Sequence, residues 1–280
     1  MRAAPTASGA SRHPAFGSHA FPELDPEKPC CPAQLWPWPL ACGGGDGRSE
    51  GSKSSYEETF SGGNTMKLLS GPLSMFGAKA QIAVAEKGID CEIEMVPFTL
   101  KDRYSPLHPD VLRVNPKKQV PVLLDGPVEI FDSTQIFEYL EDKFPTPLLW
   151  PANVEARANA RLMELKSDEV FFPSFVVLLQ TLGDPQKLEA QAALAKIGDY
   201  YREMDKLLAQ RDYIAGVYTY ADIAFMCASF FTSFMGGAPN PALYHLAAWR
   251  KRMMARPAVA PVIHALANYL TENRLKAPTL

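Results

Sequence analysis

The chain has 280 residues, and its 28 basic and 31 acidic side chains give a net charge of −3. The sequence therefore has no excess of basic residues of the kind that binds nucleic acid or an anionic membrane surface, and we expect neither as a partner. The apolar segments "VFFPSFVVLL" and "IAFMCASFF" are too short to span a bilayer and are typical of buried helices.

Residues 1–65 differ in composition from the rest of the chain. They hold 9 of the 18 glycines and 8 of the 25 prolines, and they contain neither valine nor isoleucine. Such a segment can bury little apolar surface, and we do not expect it to fold alone. Two interpretations stay open: a disordered extension, or an over-extended gene prediction whose real start is Met66.

The five cysteines form no recognisable framework. Cys30, Cys31 and Cys42 lie in the N-terminal segment without the spacing of zinc ligands, so we expect no metal site. Cys91 and Cys227 stand among apolar neighbours and are expected to be buried as free thiols. An odd number of unpaired cysteines favours a reducing compartment, and we expect the protein to be cytoplasmic.

Residues 66–147 alternate strand and helix signals. "MKLLS" at 66–70 predicts a strand, and the segment between Ser74 and Gly88 predicts a helix with a glycine at its C-terminal end. "CEIEMVPF" at 91–98 alternates as a half-buried strand does, and "QVPVLLD" and "VEIF" predict a hairpin. A last helix opens at Asp132-Ser133. The predicted order is therefore β-α-β followed by β-β-α.

From Asn153 onward the pattern predicts only helices. Apolar residues keep helical spacing through "ALAKIGDYYREMDKLL", and two further helices are expected on either side of Pro257. Thr219 and Asp222 stand three residues apart, which is typical of a capping box at a helix start. We assign this pair a role in folding and none in chemistry.

A βαβ unit followed by ββα, with Val120-Pro121 at the start of its third strand, resembles a thioredoxin-like domain. With an all-α domain behind it, the chain resembles a cytosolic glutathione S-transferase of the serine type over about residues 66–275. The resemblance implies a glutathione-binding domain at 66–147 and an all-α domain with an apolar substrate pocket at 153–280. Residues 1–65 have no counterpart in this family.

Two motifs carry the expected glutathione contacts. In "NPKKQVPVL", the resemblance implies a cis proline at 121, pairing of the Val120 backbone with the cysteinyl part of glutathione, and a Gln119 amide near its glycyl carboxylate. In "FDSTQI", it implies that Asp132 takes the γ-glutamyl ammonium and Ser133 the carboxylate. The family usually has Glu-Ser here. A plain helix cap also explains the pair, and the two roles can coexist.

The residue expected to activate the thiol is Ser74. Its place before the first helix resembles that of the family's catalytic serine, whose hydroxyl donates to the glutathione sulfur. The chain departs from the commoner pattern because Met75, and not proline, follows this serine. Ser70 at the strand end stays open as an alternative, and Ser74 as a simple helix cap stays open too.

The resemblance also implies a second substrate and a partner. A hydrophobic electrophile would bind between the domains, against an apolar wall to which Phe171, Phe172 and Pro173 contribute; each of these side chains could equally belong to the core. The family usually forms homodimers. Dehalogenation or aryl-ether cleavage is a possible variant, since "DSTQIFEYLED" is similar to the β-etherase branch.

Two other functions compete with a detoxifying transferase. The "LLSGP" opening and the "AEKG" helix end are similar to the stringent starvation proteins, which are non-catalytic interaction proteins of the same fold. Asp132-Ser133 argues against that alternative. A cysteine-based thiol transferase is disfavoured because no cysteine lies near the start of the first helix.

Overall fold

The structure is a computed structural model that describes residues 66–99, 101–104, 107–182 and 184–279. The expectations for residues 1–65, including those for Cys30, Cys31 and Cys42, lie outside these described residues. In the described part, a small sheet with its flanking helices precedes a larger group of helices.

The sheet has four strands in the spatial order β2-β1-β3-β4. Strands β1 and β2 are parallel, whereas β3 is antiparallel to both β1 and β4. The predicted order of strands and the hairpin are confirmed, although β2 ends three residues before the predicted end of that strand. The strands are β1 Met66–Ser70, β2 Cys91–Met95, β3 Val122–Asp125 and β4 Val128–Phe131.

Three helices accompany the sheet: α1 Met75–Glu86, α2 Pro109–Val114 and α3 Ser133–Lys143. Helix α1 ends where Gly88 takes a positive φ of 60°, a conformation that glycine adopts without a steric penalty. Helix α2 lies in the stretch that the sequence pattern leaves irregular. Its six residues are too few to display a helical apolar period.

The second part of the described chain is helical throughout, as predicted. The junction of α4 and α5 is a π-helical turn, Ser167–Phe171, and Pro173 lies in the first turn of the helix that follows. The helices are α4 Val154–Lys166, α5 Phe172–Gln180, α6 Leu188–Leu208, α7 Tyr220–Phe234, α8 Tyr244–Met254 and α9 Ala260–Glu272.

Helix α7 is buried along almost its whole length and forms the centre of the helical part. The predicted capping box at its start is confirmed: Asp222 accepts a hydrogen bond from the Thr219 amide at 3.0 Å. The same carboxylate accepts bonds from the Trp249 indole and the Ile214 amide, each at 2.9 Å. One buried side chain therefore joins three segments of the helical part.

A polar cluster ties the end of α1 to the helical part. Arg256 forms a two-bond ion pair with Glu86 at 2.7 and 2.8 Å, and Tyr218 donates to the same carboxylate at 2.8 Å. The Arg256 guanidinium also lies 3.4 Å from the centre of the Tyr218 ring. These contacts fix the helical part against α1, the helix that directly follows Ser74.

None of the helices in the described residues is both long enough and apolar enough to cross a membrane.

Candidate active site

Ser74 is the N-cap of α1, and its side chain is nearly buried. Its Oγ accepts a hydrogen bond from the Gly77 amide at 2.9 Å. This bond uses a lone pair of the oxygen and leaves the hydroxyl hydrogen able to donate to a ligand atom. The positive end of the α1 dipole adds to the preference for an anion at this place.

Ser70, the alternative serine, lies at the end of β1 and is fully buried at 0% exposure. Its Oγ accepts a hydrogen bond from the Gln81 side chain at 2.8 Å. It also lies directly against Gly77, so it is packed on the inner side of α1. A ligand sulfur has no access to a hydroxyl in that position, and the geometry favours Ser74 over Ser70 as the residue that contacts ligand.

The segment before β3 has the conformation that the resemblance implies. The Val120–Pro121 peptide bond is cis, and Val120 is 8% exposed. The exposed side chain of Gln119 precedes it, and the Gln119 carbonyl accepts a bond from the Asn115 side chain at 2.6 Å. Asn115 therefore holds the loop that carries both predicted contact residues.

Asp132 is the N-cap of α3, and Ser133 is the first residue of that helix. The Asp132 carboxylate accepts hydrogen bonds from the amides of Thr134 and Gln135 at 3.0 and 3.3 Å. Both bonds end on Oδ1, so the cap does not need the second carboxylate oxygen. Asp132 is exposed and Ser133 is buried. The cap interpretation is thus correct for Asp132, and it is compatible with a ligand-binding role.

The strand register places these three segments at one edge of the sheet. Leu69, next to the end of β1, pairs with Val122 at the start of β3, and Val122 pairs in turn with Phe131 at the end of β4. The loop to Ser74 leaves from the first of these positions. Val120 precedes the second and Asp132 follows the third. The topology therefore gathers the predicted site residues, which are far apart in the sequence.

An apolar surface adjoins the start of α1. The half-buried Phe172 ring lies 5.5 Å from the Phe76 ring in an edge-to-face arrangement and 4.9 Å from the Phe175 ring. Phe171 is different: it is 2% exposed and packs against Phe225, so of its two expected places, pocket wall or core, it occupies the core. Phe171 and Phe172 are neighbours in the chain, and successive residues of a helix point about 100° apart, so their side chains reach different environments.

Tyr104 is a site neighbour that the sequence pattern does not reveal. Its hydroxyl lies against Gly71 in the loop between β1 and α1, and a Cβ atom at Gly71 would overlap it. The hydroxyl is buried and has no hydrogen-bond partner among the residues that the structure describes. Burial raises the pKa of the phenol above its ordinary value, so it stays protonated. A single tyrosine in an irregular stretch gives no sequence signal for this placement.

Of the two cysteines in the described part, Cys227 is buried, as expected, whereas Cys91 is only partly buried. Burial raises the pKa of the Cys91 thiol to about 11 and that of the Cys227 thiol to about 12. Neither is a thiolate near neutral pH. Within the described ranges, no group of three or more His, Cys, Asp or Glu side chains is arranged to hold a metal ion.

Comparison with known protein families matches both parts of the chain. Residues 68–148 match the glutathione S-transferase N-terminal domain, and residues 162–257 match the glutathione S-transferase C-terminal domain. The first match covers the sheet with Ser74, Val120 and Asp132. The second covers most of the helical part.

Curated relatives include both transferases and a second kind of protein. Glutathione S-transferase 3 of Zea mays is 32% identical over an alignment of 217 positions, which covers 72% of this chain and 94% of the relative. The stringent starvation protein A homolog of Coxiella burnetii is 32% identical over 128 residues, or 45% of this chain. That match spans 56% of the relative's own length.

Solved structures agree with the fold. A glutathione S-transferase from Rhodospirillum rubrum has a TM-score of 0.60 with 26% identity, covering 71% of this chain and 92% of that structure. Together with the two matched domains and the maize relative, this similarity establishes that the chain belongs to the glutathione S-transferase family.

Proposed function

We propose that the protein is a glutathione transferase that binds glutathione at the sheet edge and activates its thiol with Ser74. The observation that carries the proposal is the strand register around Val122, because it brings the Ser74 loop, Val120 and Asp132 to one edge. Each of these positions offers the type of group that one part of glutathione requires.

The donors and acceptors fit the tripeptide along its length. The Asp132 carboxylate suits the γ-glutamyl ammonium, and Ser133 at the N-terminus of α3 suits the neighbouring carboxylate. The Val120 backbone suits the cysteinyl part as an added strand would. The Gln119 side chain is exposed beside it and suits the glycyl carboxylate.

The Ser74 hydroxyl would then donate a hydrogen bond to the glutathione sulfur. A free thiol has a pKa of about 8.5, so only a few per cent is thiolate at pH 7. A hydrogen bond to the anion and the α1 dipole both favour the thiolate, which is the nucleophile. The sulfur forms a bond to an electrophilic carbon, the leaving group departs with its electron pair, and the thiol proton goes to solvent.

The apolar surface of Phe76 and Phe172 supports a hydrophobic electrophile as the second substrate. A substrate panel should therefore contain aryl halides and aryl ethers, which also tests the dehalogenase and ether-cleaving variants. We propose that residues 66–147 bind glutathione and that residues 153–280 supply most of the apolar pocket. A detoxifying role in the cytoplasm would suit this chemistry.

We also propose that the protein is a homodimer. Helix α4 carries an apolar stripe at helical spacing whose members are all exposed: Val154, Ala158, Leu162 and Leu165. Val154 is 77% exposed, and Leu162 and Leu165 are each more than half exposed. A second copy of the chain, as is usual in this family, would cover this stripe.

A non-catalytic interaction protein of the stringent starvation type is the second candidate function. Its support is the similarity to the stringent starvation protein A homologs of Coxiella burnetii and Pasteurella multocida, each 32% identical over part of the chain. The two functions differ in whether the chain binds and uses glutathione.

Retention of the full chain on immobilised glutathione, together with turnover of an activated aryl halide, tests the proposed function. We expect both, and we expect Asp132→Ala to weaken retention because it removes the partner of the ammonium. A wild-type chain that neither binds glutathione nor turns over the aryl halide would refute the transferase and favour the interaction protein.

A further inference from the structure

A lysine in α1 lies fully buried between the sheet and the helical part. Lys79 is 0% exposed, and its ammonium contacts Glu164 of α4 at 2.7 Å and Asp168 of the π-helical turn. Burial lowers the pKa of this lysine, but the surrounding anionic groups outweigh burial and keep the pKa above its ordinary value. The charge is therefore retained, which is expensive unless the lysine is fully paired.

Glu164 connects this buried charge to the proposed ligand site. The same carboxylate oxygen that contacts Lys79 also accepts a hydrogen bond from the Thr134 hydroxyl at 2.7 Å. Thr134 follows the Asp132-Ser133 pair, and its amide donates to the Asp132 carboxylate. One oxygen atom of α4 therefore joins α1 to the first turn of α3.

Tyr220 provides a second contact from the helical part to the same turn. Its hydroxyl donates to the Ser133 carbonyl at 3.0 Å. Its ring stacks on Phe137 of α3 with the ring centres 3.8 Å apart, and the Lys79 ammonium lies 5.0 Å from the ring centre. The two residues after Asp132 are thus both held by side chains of the helical part.

The backbone at Asp132 needs such support. Its φ is 77° and its ψ is 127°, a conformation that L-residues rarely adopt. A conformation of this kind persists only where its surroundings determine it, and it concentrates at ligand sites. The bonds from Glu164 and Tyr220 fix the residues immediately after Asp132, so they limit the backbone angles that Asp132 can reach.

We propose that Glu164 is a positioning residue of the glutathione site. By accepting the hydrogen bond from the Thr134 hydroxyl, Glu164 holds residues 132–134 in their ligand-binding conformation. The inference rests on the proposed function. It means that glutathione affinity depends on a residue of the helical part that does not touch glutathione, and that the buried Lys79 serves to fix the Glu164 carboxylate.

Thr134→Val tests this link directly because it removes the hydroxyl and leaves the Lys79–Glu164 pair in place. Thr134→Ser keeps the hydroxyl and serves as the conservative rescue. Glu164→Gln weakens the same hydrogen bond by replacing the carboxylate that accepts it. Its matched control is Glu141→Gln, since Glu141 is also a buried glutamate, paired with Lys87 at 2.6 Å, and lies in the last turn of α3, away from Thr134.

The expected result is a change in KM for glutathione with little change in kcat. Thr134→Val and Glu164→Gln should each raise this KM about fivefold, as the loss of one hydrogen bond does, and leave the KM for the electrophile unchanged. Thr134→Ser and Glu141→Gln should match the wild type. The double variant should show no further rise, because both changes remove the same interaction.

Amide hydrogen exchange of the ligand-free chain provides a readout that does not depend on glutathione. Exchange at Thr134 and Gln135 should be faster in Thr134→Val and Glu164→Gln than in Glu141→Gln. An unchanged glutathione KM in Thr134→Val, or unchanged exchange at these amides, overturns the positioning role. A wild-type chain without glutathione affinity would refute the proposed function instead, and the exchange data would still decide whether Glu164 positions the turn.

Discussion

The side-chain oxygen of Ser70 lies directly against Gly77, so a Cβ atom on that glycine would overlap it. The same Cβ atom would also lie 3.0 Å from the Ser74 hydroxyl oxygen. Gly77 thus lets the first turn of α1 pack between the two serines. Because Gly77 has no side chain, its backbone can lie close to the hydroxyl of the buried Ser70 and to that of the N-cap Ser74.

Gly77→Ala is therefore expected to destabilise the chain by about 1–3 kcal/mol, the usual cost of overpacking a core, measured by urea unfolding. Adding Ser70→Ala should restore part of this loss, because it removes the atom in closest conflict. Gly198→Ala is the control: the nearest atom to its Cβ is 3.4 Å away, at the end of the Arg202 side chain. Equal costs for the two alanine variants would contradict the packing described around Ser70.

Asp222 predicts a pH dependence of stability. Burial raises the pKa of its carboxyl to about 6, although the hydrogen bonds that the carboxylate accepts act in the opposite direction and lower this pKa. Between about pH 4 and pH 6 the folded chain then binds more protons at this site than the unfolded chain, so the contribution of Asp222 to stability falls as the pH rises.

The comparison of wild type with Asp222→Asn isolates this contribution. The free energy of unfolding of wild type minus that of Asp222→Asn should be larger at pH 5 than at pH 7.5, by roughly 1–3 kcal/mol. Urea unfolding at both pH values measures it. A difference that grows toward pH 7.5 would mean that Asp222 is stabilised as a carboxylate, contrary to the effect of its burial.

Cys91 and Cys227 should react slowly with alkylating reagents. Because their thiol pKa values are raised to about 11 and about 12, almost no thiolate forms at pH 7.5. Peptide mass spectrometry after a short exposure to iodoacetamide should find both largely unmodified in the folded chain and modified in urea. Rapid modification of either residue in the folded chain would reopen a cysteine-based mechanism.

The exposed stripe on α4 predicts the oligomeric state. Wild type should sediment as a dimer, and Leu162→Glu combined with Leu165→Glu should give monomers because it places charge in an apolar contact. Leu188→Glu is a matched control, since Leu188 is 76% exposed at the start of α6 and lies outside the stripe. A monomeric wild type, or a double variant that stays dimeric, would rule out this stripe as the interface.

Local sequence patterns were sufficient for most of the fold. "MKLLS" matches β1 residue for residue, and the Thr219–Asp222 spacing identifies the cap of α7, because both signals depend on neighbouring residues only. Helix α2 was not predicted because one turn and a half carries no periodic signal. The π-helical turn at Ser167–Phe171 differs from an α-helical turn in that each amide bonds to the carbonyl five residues back and not four. The pattern of apolar residues in the sequence does not distinguish the two kinds of turn.

The candidate site likewise contains residues that the sequence predicts and residues that only the tertiary structure reveals. Ser74 and Asp132-Ser133 come from motifs that a family resemblance makes recognisable. The Lys79–Glu164 contact joins residues 85 positions apart, and a lysine or a glutamate is usually solvated. Nothing in the local sequence marks these two as buried partners. Only the packing of α1 and α4 against α7 brings them together.

Activation of the glutathione thiol depends most directly on Ser74 in the proposed mechanism. The ultraviolet thiolate band of glutathione bound to wild type should persist at pH 6.5, whereas Ser74→Ala should bind glutathione with most of this band lost, and Ser74→Thr should retain it. Loss of the hydroxyl is expected to raise the thiol pKa by about one unit, equivalent to about 1.4 kcal/mol. An equal thiolate fraction in wild type and Ser74→Ala would contradict activation of the thiol by Ser74.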